Sequence, residues 1–193
     1  MSLPISLPNM ITGIRIALIP VLVIVFYLPF EWCYFAASCV FGVASVTDWL
    51  DGYLARKLNE MTAFGAFLDP VADKLIVAVA LVLLVEANAS AWLAIPALVI
   101  VGREIVVSAL REWMASYSSQ RSVAVSMVGK VKTVFQMVAI IVLLAIGPKA
   151  GEYLLFLGYI LLYAAAGLTL WSMYLYLKVA WPDLASGMTK KAE

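Results

Sequence analysis

The chain has 193 residues, 65% of them hydrophobic and 13% charged, with 13 basic against 12 acidic side chains, a net charge of +1 and no histidine. Soluble domains carry about 45–50% apolar and about 25% charged residues, so this composition, with a mean hydropathy of +1.01, excludes an ordinary soluble enzyme. The near-neutral balance excludes a nucleic-acid binder, and the missing histidine removes Ser-His-Asp triads, Cys-His pairs and histidine-bound zinc.

A membrane-spanning helix needs ~20 mostly apolar residues. The chain opens on a short amphipathic segment, Leu3 to Asn9, suited to lying along an interface. Six apolar stretches follow: Leu7 to Tyr27, closed by Pro29; Trp32 to Leu58; Met61 to Val85; Ala91 to Met114; Ser122 to Ile146; and Tyr153 to Ala180. The expected architecture is all-α, a single domain over residues 1–193 built as a polytopic bundle of six transmembrane helices. The first stretch lacks a basic start and a small-residue cleavage site, so it is not expected to be a signal peptide. If Cys33 and Cys39 share a helix they lie ~9 Å apart along its axis, beyond disulfide reach. Arg56, Lys57, Arg111, Arg121, Lys190 and Lys191 gather at one set of helix ends, and Glu31, Glu86 and Glu152 at the other, with Lys149 the only basic residue there. The positive-inside rule then puts both termini in the cytoplasm, with Trp32, Trp92 and Tyr153 in an aromatic belt on the far side.

Charges within these stretches carry the functional signal. An Asp or Arg near a spanning helix's centre costs ~2.5–3.5 kcal/mol on insertion, so such residues face a cavity or a partner. Asp48, Asp51, Arg56, Asp69, Asp73, Lys74, Arg103, Glu104, Arg111, Lys130 and Lys132 all fall toward the cytoplasmic ends, which predicts one polar cavity open on that side. Asp48 and Asp51 are three apart, within ~60° on a helix. Gly52 follows Asp48 by four, Ala55 follows Asp51 by four, and Arg56 follows Gly52 by four. On the next helix Gly65, Asp69 and Asp73 share a face. The short Lys57–Thr62 connection predicts that the two acidic faces meet. Two carboxylates ~6 Å apart repel by ~2.8 kcal/mol at an effective dielectric of 20. Protons or metal ions must relieve this, and all-oxygen ligands suit Mg²⁺, Mn²⁺ or Ca²⁺. Two divalent ions would neutralise four acids, the arrangement of two-metal phosphoryl chemistry. The small residues beside the acids are also ordinary helix-packing devices.

A basic set lies further on. Arg103 and Arg111 differ by ~80° in helical phase and can line one side of a helix. Lys130 and Lys132 differ by ~200°, so only one can enter a given site. Gly129 leaves room beside Lys130, which favours Lys130, with Lys132 reaching toward lipid headgroups. Glu104 could pair with Arg111, and a buried ion pair is the structural alternative for that helix.

The run Asp48-x2-Asp51-Gly52-x2-Ala55-Arg56-x8-Gly65-x3-Asp69-x3-Asp73 resembles the signature of the CDP-alcohol phosphatidyltransferases at every fixed position. Residues Pro8 to Arg15, Gly102-Arg103-Glu104 through Leu110-Arg111, and Gly129 to Thr133 resemble the bacterial branch that takes glycerol 3-phosphate. The resemblance implies transfer of a phosphatidyl group from CDP-diacylglycerol to sn-glycerol 3-phosphate, giving phosphatidylglycerophosphate and CMP in a bacterial inner membrane. It implies Mg²⁺ or Mn²⁺ held by Asp48, Asp51, Asp69 and Asp73, with Asp73 as general base. It further implies Gly52, Ala55 and Gly65 around the cytidine, Arg56 at the diphosphate, and a homodimer. Arg103, Arg111 and Lys130 are the candidates for the acceptor's phosphate. Two rivals stay open: another alcohol acceptor, such as inositol phosphate or serine, and a divalent-cation transporter built on the same carboxylates. Against the transporter, the outer halves of the stretches are apolar and show no continuous polar path.

Overall fold

The computed structural model describes residues 7–58, 63–117, 127–148 and 151–189, with side chains described outside positions 7–9, 11, 49–58, 63–64, 66–67, 111, 115–117, 127–130, 179 and 182–189. Six helices account for nearly all of it: α1 (Leu7–Phe26), α2 (Cys33–Leu58), α3 (Ala63–Asn88), α4 (Ala91–Tyr117), α5 (Met127–Ile146) and α6 (Glu152–Thr189). Among the described residues there is no strand. Long apolar runs propagate as helix through Pro20, Pro70 and Pro96, and the breaks fall where turn chemistry intervenes. Ala89 takes a left-handed conformation (φ 44°) after α3, and the Ser90 carbonyl then accepts the Leu93 and Ala94 N–H groups that open α4. Gly147 (φ 62°), followed by Pro148, ends α5 in the usual left-handed C-terminal turn.

The apolar stretches match the helices, with three extensions, and residues 122–126 of the fifth stretch lie outside the described residues. α3 runs on past Val85 to Asn88, α4 past Met114 to Tyr117, and α6 past Ala180 through Pro182 to Thr189. The latter part is not apolar, so hydropathy had no reason to include it. The expected interfacial segment begins helix already at Leu7, and residues 3–6 lie outside the described residues. Cys33 and Cys39 do share α2; both are free, the first buried and the second exposed.

Leu22, Phe41, Leu81, Leu84, Ile100, Ile140, Leu143, Leu144 and Leu162 are fully buried and place the core along the bundle axis, with all six helices contributing. The outside is also apolar: Ile24, Val43, Val82, Leu98, Ile105, Phe156 and Trp171 are exposed. A surface of this kind suits hydrocarbon rather than water. Segments 91–114 and 152–178 are long and apolar enough to cross a membrane, and 12–26, 33–48 and 131–146 are shorter apolar helical stretches. Trp32, Trp92 and Tyr153 all stand exposed.

α5 and α6 approach closely at Gly158, where an added Cβ would collide with the Leu143 side chain, 2.8 Å from its Cγ. Gly158→Ala is expected to destabilise the fold by about 1–3 kcal/mol through overpacking. A lower thermal midpoint in detergent is the expected reading, and an unchanged midpoint would show that Leu143 moves aside at no cost.

The acidic faces of α2 and α3 meet, as the short connection predicts, and α1 packs against both helices.

Candidate active site

α1, α2 and α3 bring together three of the acids picked out in the sequence. Asp48 projects from α2, and Asp69 and Asp73 project from one face of α3. α1 supplies what the sequence reading did not assign. Its Thr12 and Arg15 are three apart, on one helical face, and both are buried. The Thr12 hydroxyl donates to Asp69 Oδ1 at 2.5 Å. Arg15 Nη1 donates to Asp73 Oδ1 at 2.8 Å and lies 3.1 Å from Asp48 Oδ1. One guanidinium nitrogen thus joins acids from two helices. Two carboxylates ~6 Å apart repel by ~2.8 kcal/mol at an effective dielectric of 20. Arg15, which stays charged in any protein setting, offsets part of that repulsion. Its signal in the sequence was an arginine standing in an apolar helix, read there only as part of the N-terminal resemblance.

Asp48, Asp69 and Asp73 line a cavity of ≈ 330 Å³. Lys74 of α3, Glu104 of α4, and Lys132, Thr133 and Gln136 of α5 line it as well. The basic side is organised by Glu104. Lys132 Nζ lies 2.5 Å from Glu104 Oε1, and Arg103 Nη1 lies 2.9 Å from the same oxygen. Arg103 Nη2 donates to Ser172 Oγ of α6 at 2.6 Å. Lys74 Nζ donates to Ser108 Oγ, whose own hydroxyl donates to the Glu104 carbonyl. α3, α4, α5 and α6 are therefore tied through one polar network.

These contacts correct two expectations. Lys132 does not reach for headgroups: it is buried on Glu104 and lines the cavity. Glu104, on another helix, draws Lys132 to the cavity, which helical phase alone does not show. Glu104 also takes Arg103, an ion pair of the kind the structural alternative anticipated. Arg103 lies behind the cavity wall, bound to Glu104 and Ser172, and does not line the cavity itself. Asp51, Gly52, Ala55 and Arg56 lie on α2, Arg111 on α4 and Lys130 on α5, and their side chains lie outside the described ones. Gly65 is buried in α3.

Chemically, the site offers the carboxylates of Asp48, Asp69 and Asp73 together with the Lys132–Glu104 ion pair and the Lys74 ammonium group. The all-oxygen donor set fits a hard divalent cation. Among the described residues no three acids are gathered as a ready-made metal cage; the carboxylates are shared out between Arg15 and Thr12.

The profile of the CDP-alcohol phosphatidyltransferase family matches residues 5–171. The chain belongs to this family. It is 55% identical over 187 residues to a CDP-diacylglycerol–glycerol-3-phosphate 3-phosphatidyltransferase of Pseudomonas fluorescens, covering 96% of this chain and 95% of the relative. Proteins of the same description from Escherichia coli strain K12 and Shigella flexneri are each 52% identical over 179 residues, covering 93% of this chain and 97% of theirs. The family match spans α1 to most of α6, so Arg15 and Thr12 fall within it, as do all four motif acids.

Proposed function

We propose that this protein transfers the phosphatidyl group of CDP-diacylglycerol to sn-glycerol 3-phosphate, releasing CMP, as a six-span protein of the bacterial cytoplasmic membrane with its cavity open to the cytoplasm. The observation that carries the reading is a carboxylate-lined cavity that also presents Lys74 and Lys132, in a chain more than half identical to relatives of that activity.

Asp48, Asp51, Asp69 and Asp73 would hold Mg²⁺ or Mn²⁺. The chemistry such ions supply is neutralisation of the diphosphate and of the departing CMP. Gly52, Ala55 and Gly65 leave room for the cytidine, and Arg56, on the same stripe of α2, meets the diphosphate. Asp73 accepts the proton of the attacking hydroxyl, held in place through its Oδ1 by Arg15. Lys132 and Lys74 present charge to the acceptor's phosphate from the cavity wall, with Arg111 and Lys130 on the same two helices, α4 and α5, as Glu104 and Lys132. Arg103 acts behind them, holding Glu104 in place. The donor's acyl chains stay in the bilayer while its nucleotide reaches water, so the reacting phosphorus sits at the boundary where the acids sit. Exposed Leu75, Val82, Leu98 and Ile105 on α3 and α4 supply an apolar face for pairing two copies.

The test is an acceptor panel. Purified protein receives CDP-diacylglycerol, Mg²⁺ and either glycerol 3-phosphate, inositol phosphate or serine, and CMP release is followed. Glycerol 3-phosphate is expected to give turnover at least roughly a hundredfold above the others, because the cationic wall rejects an unphosphorylated alcohol and the small cavity a ring. Preference for serine or inositol phosphate would overturn the assignment.

A further inference from the structure

Gln136 stands apart from the ionic network described above. It sits on α5, one turn beyond Lys132, and lines the same cavity as Asp69 and Asp73. Its side chain is 4% exposed, and among the described residues its Oε1 has no hydrogen-bond partner. A buried amide oxygen without a partner is costly to keep, and native structures hold few of them. An acceptor of this kind on the wall of a polar cavity is suited to a donor that arrives with a ligand.

We infer that Gln136 reads the middle hydroxyl of the acceptor alcohol, the group on C2 of glycerol 3-phosphate; this rests on the acceptor assigned above. The geometry is one of register. Lys132 and Gln136 are four residues apart, a step of ~6 Å along the helix, about the reach of a phosphoglycerol from its phosphate to its middle hydroxyl. With the phosphate at Lys132, C2 comes opposite Gln136. The terminal hydroxyl is then left for Asp73 on the facing helix. The residue type fits as well. A carboxylate at this position would accept the same hydrogen bond but would repel the nearby phosphate, whereas an amide oxygen accepts without charge. A site that hydrogen-bonds a substrate hydroxyl also rejects analogues lacking it, because the buried acceptor is then left bare.

The experiment compares two acceptors on two proteins. Wild-type protein and Gln136→Met are assayed with CDP-diacylglycerol and Mg²⁺, using glycerol 3-phosphate or 3-hydroxypropyl phosphate, which lacks only the middle hydroxyl. Wild type is expected to prefer glycerol 3-phosphate by roughly tenfold or more in kcat/KM. In Gln136→Met that ratio falls to about one, KM for glycerol 3-phosphate rises, and KM for CDP-diacylglycerol is unchanged. The thermal midpoint of the variant is unchanged or higher, since an unpartnered buried oxygen has been removed. A preserved ratio in the variant, an equal loss toward both substrates, or a variant that does not fold would each overturn the inference. Wild-type protein that ignores glycerol 3-phosphate while turning over another alcohol would instead sink the acceptor assignment itself.

Discussion

Single replacement of Asp48, Asp51, Asp69 or Asp73 by Asn is expected to lower CMP release by roughly a thousandfold or more, and excess EDTA is expected to silence the unaltered protein. Asn keeps the shape and one oxygen of each side chain but not the charge that a divalent ion requires. The site is held from a third helix, which separates loss of chemistry from loss of structure. In Asp48→Asn the Arg15 guanidinium still has Asp73, and in Asp73→Asn it still has Asp48. Each single variant should therefore insert and fold, with a thermal midpoint close to wild type. Turnover in EDTA comparable to that in Mg²⁺ would refute the metal assignment, whatever the variants do.

The largest effect on stability is expected at Glu104. Its carboxylate receives both Lys132 and Arg103, and both cations are buried. Glu104→Gln leaves two charges in a low-dielectric site with no counter-charge on that oxygen. Breaking a buried pair in this way destabilises by about 3–5 kcal/mol, a drop of roughly 10 °C in thermal midpoint for a chain of this size. Adding Lys132→Met to Glu104→Gln removes one stranded charge and is expected to restore part of the stability. It does not restore activity, because Lys132 belongs to the cavity wall. A midpoint unchanged in Glu104→Gln would show that the network contributes nothing to folding.

The helices were readable from the sequence because apolar length is a property of each segment alone. The acids on α2 and α3 were readable because spacing by three and four fixes a shared face within one helix. What escaped depends on neighbours. The acidic faces of α2 and α3 do meet, but the partners of those acids, Arg15 and Thr12, come from α1, which spacing within α2 and α3 could not show. Phase excluded a shared role for Lys130 and Lys132 but could not see Glu104 waiting for one of them. Arg103 looked like a substrate ligand because apolar residues flank it; its actual partners, Glu104 and Ser172, lie one residue and two helices away. The C-terminal part of α6 was missed because it is helical without being apolar.

Arg15 has a consequence for how the protein is made. Synthesis runs from the N-terminus, so in the six-span arrangement proposed above α1 enters the bilayer before α2 and α3 exist. At that moment it carries a cation that costs ~2.5–3.5 kcal/mol near a helix centre, and the carboxylates that will hold it have not been translated. The first helix is thus only provisionally settled when it inserts. It becomes firmly seated when Asp48 and then Asp73 arrive and close on the guanidinium. The step that anchors the first helix is the same step that draws the acids of the second and third helices into register, so a chain halted before α3 carries neither a secured N-terminal span nor a complete set of carboxylates.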